Sequence, residues 1–377
     1  MTAEFAEVVI ERLAHGGEGV GRLPDGRVCF VRLSAPGDRL RVRLLESHGR
    51  WARGELEAVL EAGPARTTPA CPLFSRCGGC QWQHVTLEAQ RAAKQATVAR
   101  SLRAEVAPIE TPGPALGYRR RARLHLEAGR VGYRALRSHE VVDVPRCPLL
   151  AAPLDAALER LRPALSARTG EAQLLVGGGG ALAVAAPGAS LGEPRVDLGD
   201  GAGRPFWARA DTFVQANGFA SASLRSLVAG ALAGAARVLE LYAGSGNFTR
   251  DLLAAGADVV ALEASREAAD LARENLLGLP GRLRLVPLPV ERALASETGP
   301  FDAILVDPPR TGLDARLPAL LSRLGPRLVY VSCDPATLGR DVERLRKLGW
   351  ALDRALPVDA WPQTFHVETV AELSRPA

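Results

Sequence analysis

The chain of 377 residues predicts a mixed α/β fold in three parts. These are a small β-barrel at the N-terminus, an α+β middle region, and a Rossmann-like, mainly parallel sheet at the C-terminus. Three observations predict it. From about residue 206 onward, short apolar runs alternate with stretches of helical length, the pattern of a sheet covered on both faces. Residues 1 to about 62 carry short extended runs broken by Gly- and Pro-containing turns. Between these regions, Cys71, Cys77 and Cys80 fall close together. Apolar residues make up 47% and charged residues 24%, so the chain can bury a core and is not globally disordered. No run of about 18 apolar residues is present, which argues against a membrane-spanning helix. The start, MTAEFAEVVIERL, has neither the basic nor the apolar stretch of a signal peptide, so a cytoplasmic protein with no membrane partner is expected.

The elements follow in order. VVIERLA, RVCFVRL, RLRVRLLES and WARGELEAV read as strands, and Asp25-Gly26 between extended runs is a hairpin signal. Arg39, Arg41 and Arg43 alternate with Leu40, Val42 and Leu44, placing three guanidinium groups on one strand face. Small barrels with a basic outer face often bind RNA, although a solvated strand face gives the same pattern. EAGPARTTPA marks a boundary, and residues 63–205 form the middle region. It holds a helical stretch from Leu87 to Leu102 and the strand-like YRRRARLHLEAGRVGYRAL. Arg119, Arg120, Arg121 and Arg123 beside Tyr118 and Tyr133 suit phosphates and splayed bases, and an edge strand would look similar. Residues 206–377 supply the strands VLEL, VVALEA, LRLVPL, FDAILV and LVYVS with their helices, then WALDRALPV and HVETVAEL.

Charge says less than it first suggests. The net charge of +5 permits a nucleic-acid partner without indicating one. All 47 basic residues are Arg except Lys94 and Lys347, which reads as compositional bias of the source genome alongside a single Met.

Four motifs of the C-terminal region carry chemistry. LELYAGSGNFT, residues 239–249, is a Gly-rich turn between strand and helix, where Gly244 and Gly246 let backbone approach a ligand. Glu263 ends the next strand, where a carboxylate can accept both ribose hydroxyls. Alone this fits any nucleoside cofactor, but the pattern lacks the third glycine of the dinucleotide fingerprint and is typical of adenosylmethionine enzymes. DPPR places Asp307 at the end of a strand facing the same crevice, with Arg310 where amino-methylating enzymes often carry an aromatic residue. VSCDPATL puts Cys333 at a strand end directly before a helix that Asp334 caps and Pro335 begins. The positive end of that helix is expected to favour the thiolate, making Cys333 a candidate nucleophile. In HVETV, His366 and Glu368 share one face of a strand, and Glu368 could act as a general base.

The remaining cysteines group by spacing. Cys71-x5-Cys77-x2-Cys80 with Cys147 as a distant fourth could hold a [4Fe–4S] cluster or zinc. Three clustered ligands and one distant ligand fit a cluster better than the paired spacing of zinc sites. Cys29 has no partner by spacing and reads as a core residue.

Taken together, these motifs closely resemble the RNA uracil-5-methyltransferases, a class I S-adenosylmethionine-dependent family. The resemblance runs over essentially the whole chain, through CGGCQWQH, YRRRARL, FVQANG, LELYAGSGNFT, DPPRTGL, VSCDPATLGRD and PQTFHVETV. It implies a TRAM-type, OB-like RNA-binding barrel over 1–62, a cluster-bearing domain over 63–205 and a methyltransferase domain over 206–377. It also implies cofactor contact by Gln215, Tyr242, Asn247, Glu263 and Asp307, Cys333 as nucleophile and Glu368 as base. Cys71, Cys77, Cys80 and Cys147 would hold a cluster that shapes RNA binding. The implied substrate is a uridine in structured RNA, with 23S ribosomal RNA favoured over the tRNA T-loop, and the implied state is a monomer. Two positions depart from the family: Pro289 stands where many members have an acidic or amide residue, and Ala243 where relatives often have Cys.

The chemistry fits these residue types. Carbon 5 of uracil is a poor nucleophile, and a thiolate adding at carbon 6 activates it. A base must then remove the carbon 5 proton, and the target base must leave its stack to reach the cleft.

Overall fold

The computed structural model describes residues 4–199 and 203–376. The first three residues of the expected barrel span and the last residue of the chain lie outside the described residues. Strands β1 (Phe5–Leu13), β2 (Gly19–Arg22), β3 (Val28–Val31), β4 (Arg39–Ser47) and β5 (Trp51–Glu61) close into a barrel in the order β1-β2-β3-β5-β4. Alternation does the sorting: Val8, Ile10, Val31, Leu40 and Val42 fill the interior, with Cys29 among them. Gly26 takes φ +86° in the β2–β3 turn. The outward arginines are not a bare basic face. Arg39 meets Glu7, Arg43 meets Glu55, and Arg41 lies over the Phe5 ring.

The middle region divides its packing. Helix α1 (Leu87–Leu102), capped by Thr86, buries Val98 and Leu102 in the same core as Leu239, Ile304 and Leu345 of the C-terminal region. The sheet of β6 (Arg121–Glu127), β7 (Arg130–Arg134), β8 (Val141–Asp143), β9 (Gly170–Val176), β10 (Leu182–Ala186) and β11 (Ala189–Gly192) runs β11-β10-β9-β6-β7-β8. Helix α2 (Ala152–Ser166) covers it, packing Leu154, Leu158 and Leu165 on Leu124, Leu126 and Leu174. The short pair β12 (Val196–Asp197) and β13 (Trp207–Ala208) leads to α3 (Gly218–Ala231).

The C-terminal elements are β14 (Arg237–Leu241), α4 (Thr249–Ala254), β15 (Asp258–Leu262), α5 (Arg266–Leu276), β16 (Leu283–Val286), α6 (Val290–Ala293), β17 (Ala303–Val306), α7 (Leu317–Leu321), β18 (Arg327–Ser332), α8 (Pro335–Arg346), β19 (Ala351–Val358) and β20 (Glu368–Ser374). They form one sheet, β16-β15-β14-β17-β18-β20-β19, in which β14 to β18 pair in parallel and β20 is antiparallel to both neighbours. Strand order reverses between β14 and β17, and open sheets of this kind bind ligands at the carboxyl ends beside that switch point. Helix α7 is shorter than the LDARLPALLSRL stretch suggests, because Pro318 confines its start to the residues after Arg316. Among the described residues no helix is long and apolar enough to cross a membrane.

Candidate active site

The loop after β14 sets the floor of a cleft. Tyr242, Gly244 and Gly246 take φ of +63°, +57° and +89°, a backbone path that glycine follows at little cost. Glu263, just beyond β15, braces this loop: its Oε2 accepts the Gly244 N–H at 2.8 Å and its Oε1 the Ser265 N–H at 2.7 Å. Asp307 follows β17 and Cys333 follows β18. The antiparallel ladder of β18 and β20 ends at the pair Ser332–Thr369, which brings their neighbours Cys333 and Glu368 to the same end of the sheet. Gln215 enters from the segment before α3. A cavity of about 690 Å³ is lined by Gln215, Tyr242, Glu263, Asp307, Cys333 and Glu368, together with Gly244 and Arg310. Asn247 lies instead in an adjoining pocket with Gln215, Tyr242 and Asp307, where its Oδ1 accepts the Ser221 hydroxyl at 3.2 Å. Pro289 stands at the N-cap of α6 and offers no side-chain hydrogen bond there.

Electrostatics correct one expectation. The α8 N-terminus is formed as anticipated, with Asp334 as cap and Pro335 in the first turn. Yet the Cys333 thiol is pushed up to about 11, first by burial and then by Glu368, with Arg310 opposing. Burial and the nearby carboxylates favour the neutral thiol in the ligand-free cleft. Asp307 is raised well above the ordinary carboxylate range by burial and by the charges of Glu368 and Glu240. Burial also raises Glu368, while a hydrogen bond from Trp361 and the Arg310 charge pull it back. Glu240, buried under the Gly-rich loop, is raised to about 8 by burial. Asp211, Glu263, Glu267, Asp307 and Glu368 line the cavity against two arginines, Arg209 and Arg310, so carboxyl groups outnumber cations there.

Several lining residues carried no sequence signal for a role. Trp361 donates its Nε1–H to Glu368 Oε1 at 3.1 Å, and only its position before PQTFH marks it. Arg310 was visible in DPPR, but its approach to Cys333 and Glu368 comes from the fold. Phe213 lines the cavity while 69% exposed. His366 lines it too, and burial lowers its ring to about 3, so it is neutral.

A second pocket gathers Cys71, Cys77, Cys80 and Cys147 with Arg119 and Tyr133. All four thiols are free, and burial raises those of Cys77, Cys147 and Cys80, the last to about 12. Gly79 N–H and Gln83 Nε2 approach Cys77 and Cys80 sulfur at 3.5 and 3.2 Å. Half-buried thiols converging on a pocket with N–H donors form a donor set suited to a sulfur-rich metal group, although no three described His, Cys, Asp or Glu side chains stand as a ready set for a single ion. The arginines that suggested RNA contact each find a partner within the chain, and Arg123 does so at the surface, where it is 64% exposed. Arg119 lines this pocket, Arg120 bonds the Gln215 carbonyl, Arg121 bonds Gln173, and Arg123 bonds Glu171.

Comparison with known proteins agrees with this geometry. A family model described as tRNA (Uracil-5-)-methyltransferase matches residues 294–376, and a TRAM domain model matches residues 3–56. The 23S rRNA (uracil(1939)-C(5))-methyltransferase RlmD of Thiobacillus denitrificans is 34% identical, covering 98% of this chain and 99% of the relative. The enzyme of the same name from Halomonas elongata is 32% identical, covering 98% and 89%. The solved structure of Pyrococcus abyssi tRNA (uracil-54, C5)-methyltransferase, in complex with S-adenosyl-L-homocysteine, shares the fold with a TM-score of 0.76 over 98% of this chain and 99% of that one, at 24% identity. With near-full-length identity above 30% on one side and a cleft that faces a thiol and a carboxyl group on the other, the chain belongs to the S-adenosylmethionine-dependent RNA uracil-C5-methyltransferases.

Proposed function

We propose that this chain methylates carbon 5 of a specific uridine in structured 23S ribosomal RNA. The observation that supports the reading is one cavity lined by both Cys333 and Glu368, the residues next to the last β18–β20 pair, and reaching Gly244 and Glu263. Gln215, Tyr242, Glu263 and Asp307 would hold S-adenosylmethionine there, with Asn247 supporting the loop from behind. When bound, the cofactor supplies the methyl group and a sulfonium charge opposite in sign to the carboxyl groups.

The residues of the chain divide the work. Cys333, as thiolate, forms a bond to uracil carbon 6, and the electron pair displaced onto carbon 5 makes that carbon the nucleophile. After carbon 5 has gained the methyl group, Glu368 takes the proton from carbon 5. The carbon 6–sulfur bond then breaks and its electron pair returns to Cys333. Positive charge entering among Asp307, Glu368 and Asp334 on binding would favour the Cys333 thiolate, against the burial that raises it in the free protein. Arg310 already acts in that direction.

The barrel of residues 1–62 and the middle region 63–205 would grip RNA, and residues 206–377 perform the chemistry. Cys71, Cys77, Cys80 and Cys147 would hold a [4Fe–4S] cluster that fixes the loops around them. We take the protein to be a cytoplasmic monomer. Ribosomal RNA is favoured because the relatives similar over nearly their whole length carry that activity in their names.

Glu368→Gln incubated with cofactor and RNA should accumulate a covalent protein–RNA adduct that Cys333→Ala cannot form. The absence of any adduct overturns the mechanism. Mass-spectrometric mapping of 5-methyluridine in a deletion strain should show loss from 23S rRNA, whereas loss from the tRNA T-loop assigns the other substrate. Anaerobic purification should yield iron and sulfide, and stoichiometric zinc without iron removes the cluster.

A further inference from the structure

Glu368 begins a strand, and three rotatable bonds separate its carboxyl group from the backbone. A general base must hold one oxygen within about 3 Å of the proton it removes. Among the described residues, one side-chain hydrogen bond reaches Glu368, from Trp361 Nε1 to Oε1 at 3.1 Å. An indole N–H can only donate, so it accepts no competing proton and always presents hydrogen to that oxygen. Oε2 is left for the substrate.

Trp361 is itself held with unusual redundancy. Its carbonyl accepts from Lys94 Nζ at 2.9 Å and from the Thr364 hydroxyl at 2.8 Å. Lys94 is buried and paired with Asp359 at 2.5 Å. On either side, the Ala360 carbonyl accepts from Asn217 Nδ2 at 3.0 Å and the Pro362 carbonyl from the Tyr118 hydroxyl at 3.0 Å. The Gln363 N–H donates to Gln90 Oε1 at 2.9 Å. The indole ring lies under the Arg119 guanidinium, 5.2 Å from its centroid, and Arg119 reaches on into the cysteine pocket. A lining side chain needs no such bracing to fill space. A donor that must aim a carboxylate does.

We propose that Trp361 is a positioning residue for the methyl-transfer reaction, fixing the Glu368 carboxylate through its indole N–H so that the free oxygen meets the carbon 5 proton. The inference rests on the assignment of Glu368 as base. It makes a distinction by step: addition of Cys333 to carbon 6 does not use Glu368 as base, whereas release of the methylated product does.

The test uses the full chain, purified as it exists, with S-adenosylmethionine and unmodified ribosomal RNA carrying tritium at uridine carbon 5. Gel shift under denaturing conditions follows the Cys333 adduct, and tritium release follows proton removal. Trp361→Phe should form the adduct at the wild-type rate but release tritium at least about tenfold more slowly, the effect of losing a hydrogen bond to a charged group. The acid limb of its release rate should move to higher pH, because the N–H favours the ionised carboxyl. Trp361 replaced by 3-benzothienylalanine, which keeps the ring shape without the N–H, should behave alike and covers a Phe variant that folds poorly. Unchanged release with an unmoved limb in either variant overturns the inference, as does equal slowing of adduct formation and release. A wild-type chain that neither forms an adduct nor releases tritium overturns the proposed function itself.

Discussion

The raised Cys333 thiol gives a direct test of the cleft's electrostatics. Its ordinary value of 9.0 is pushed up to about 11, with burial the largest cause and Glu368 the next. Two units correspond to about 2.7 kcal/mol of preference for the neutral thiol, so at any pH below 9 the thiolate is about a hundredfold scarcer than in an ordinary thiol. Alkylation by the neutral reagent iodoacetamide proceeds through the thiolate. Its rate at Cys333, followed by peptide mass spectrometry in the ligand-free protein, should therefore rise about tenfold per pH unit and keep rising beyond pH 9. The same peptide in the denatured chain should level off near 9. Restricted access would scale the rate at every pH without moving the plateau, so the shape of the curve isolates the electrostatic effect. Glu368→Gln removes a neighbouring negative charge and should lower the plateau, whereas Arg310→Gln should raise it. A folded-state plateau at or below pH 9 would refute the argument that burial and the neighbouring carboxyl groups raise this thiol.

Three other outcomes follow from the packing. Lys94→Met leaves Asp359 buried without its closest cation and should cost about 3–5 kcal/mol in urea unfolding, with Lys94→Met/Asp359→Leu recovering much of it; a loss below about 1 kcal/mol contradicts the reading. Burial lowers the His84 ring from 6.5 to about 4, while Nε2 bonds the Ser34 carbonyl and Nδ1 has no partner. The folded ring is neutral, and below pH 6.5 the unfolded chain takes up a proton that the folded chain refuses. Stability should therefore fall between pH 6.5 and 4, by up to about 3 kcal/mol, with a smaller fall in His84→Asn; equal acid sensitivity in the two proteins would exclude His84 as the source. Gly246→Ala forces a side chain into φ +89° and brings its Cβ to 3.0 Å from the Leu276 side chain. The strain of about 1–2 kcal/mol should distort the loop and weaken S-adenosylhomocysteine binding about tenfold by calorimetry, and unchanged affinity would show that the loop path is not decisive.

The sequence by itself determined the local chemistry. Strand alternation fixed which barrel residues face inward, from Val8 to Val42, because the two-residue period depends on the backbone alone. The Asp334 cap and Pro335 start of α8 were legible because capping is local, and so was the Gly-rich loop with its positive φ angles. The sorting of the cysteines was legible as well: Cys29 lies in the barrel core, four others line one pocket, and Cys333 lines the cleft. Other features depended on which distant residues the fold brings together. Helix α1 belongs to the middle region yet joins the C-terminal core, where Val98 and Leu102 pack, while its buried Gln90 and Lys94 bond Gln363 and Asp359. Arg119, Arg121 and Arg123 read alike in sequence, yet Arg119 lines the cysteine pocket, Arg121 bonds Gln173 of the neighbouring strand, and Arg123 pairs with Glu171 at the surface. The raised Cys333 thiol was hidden for the same reason: a helix end is visible in sequence, whereas burial and the charges of Glu368 and Asp307 arise only when separate strands converge. The tertiary structure alone placed Lys94 on Asp359, because a hydrogen bond spanning 265 residues of sequence has no local signature, and it alone folded the turn between Trp361 and Glu368 so that indole meets carboxyl group.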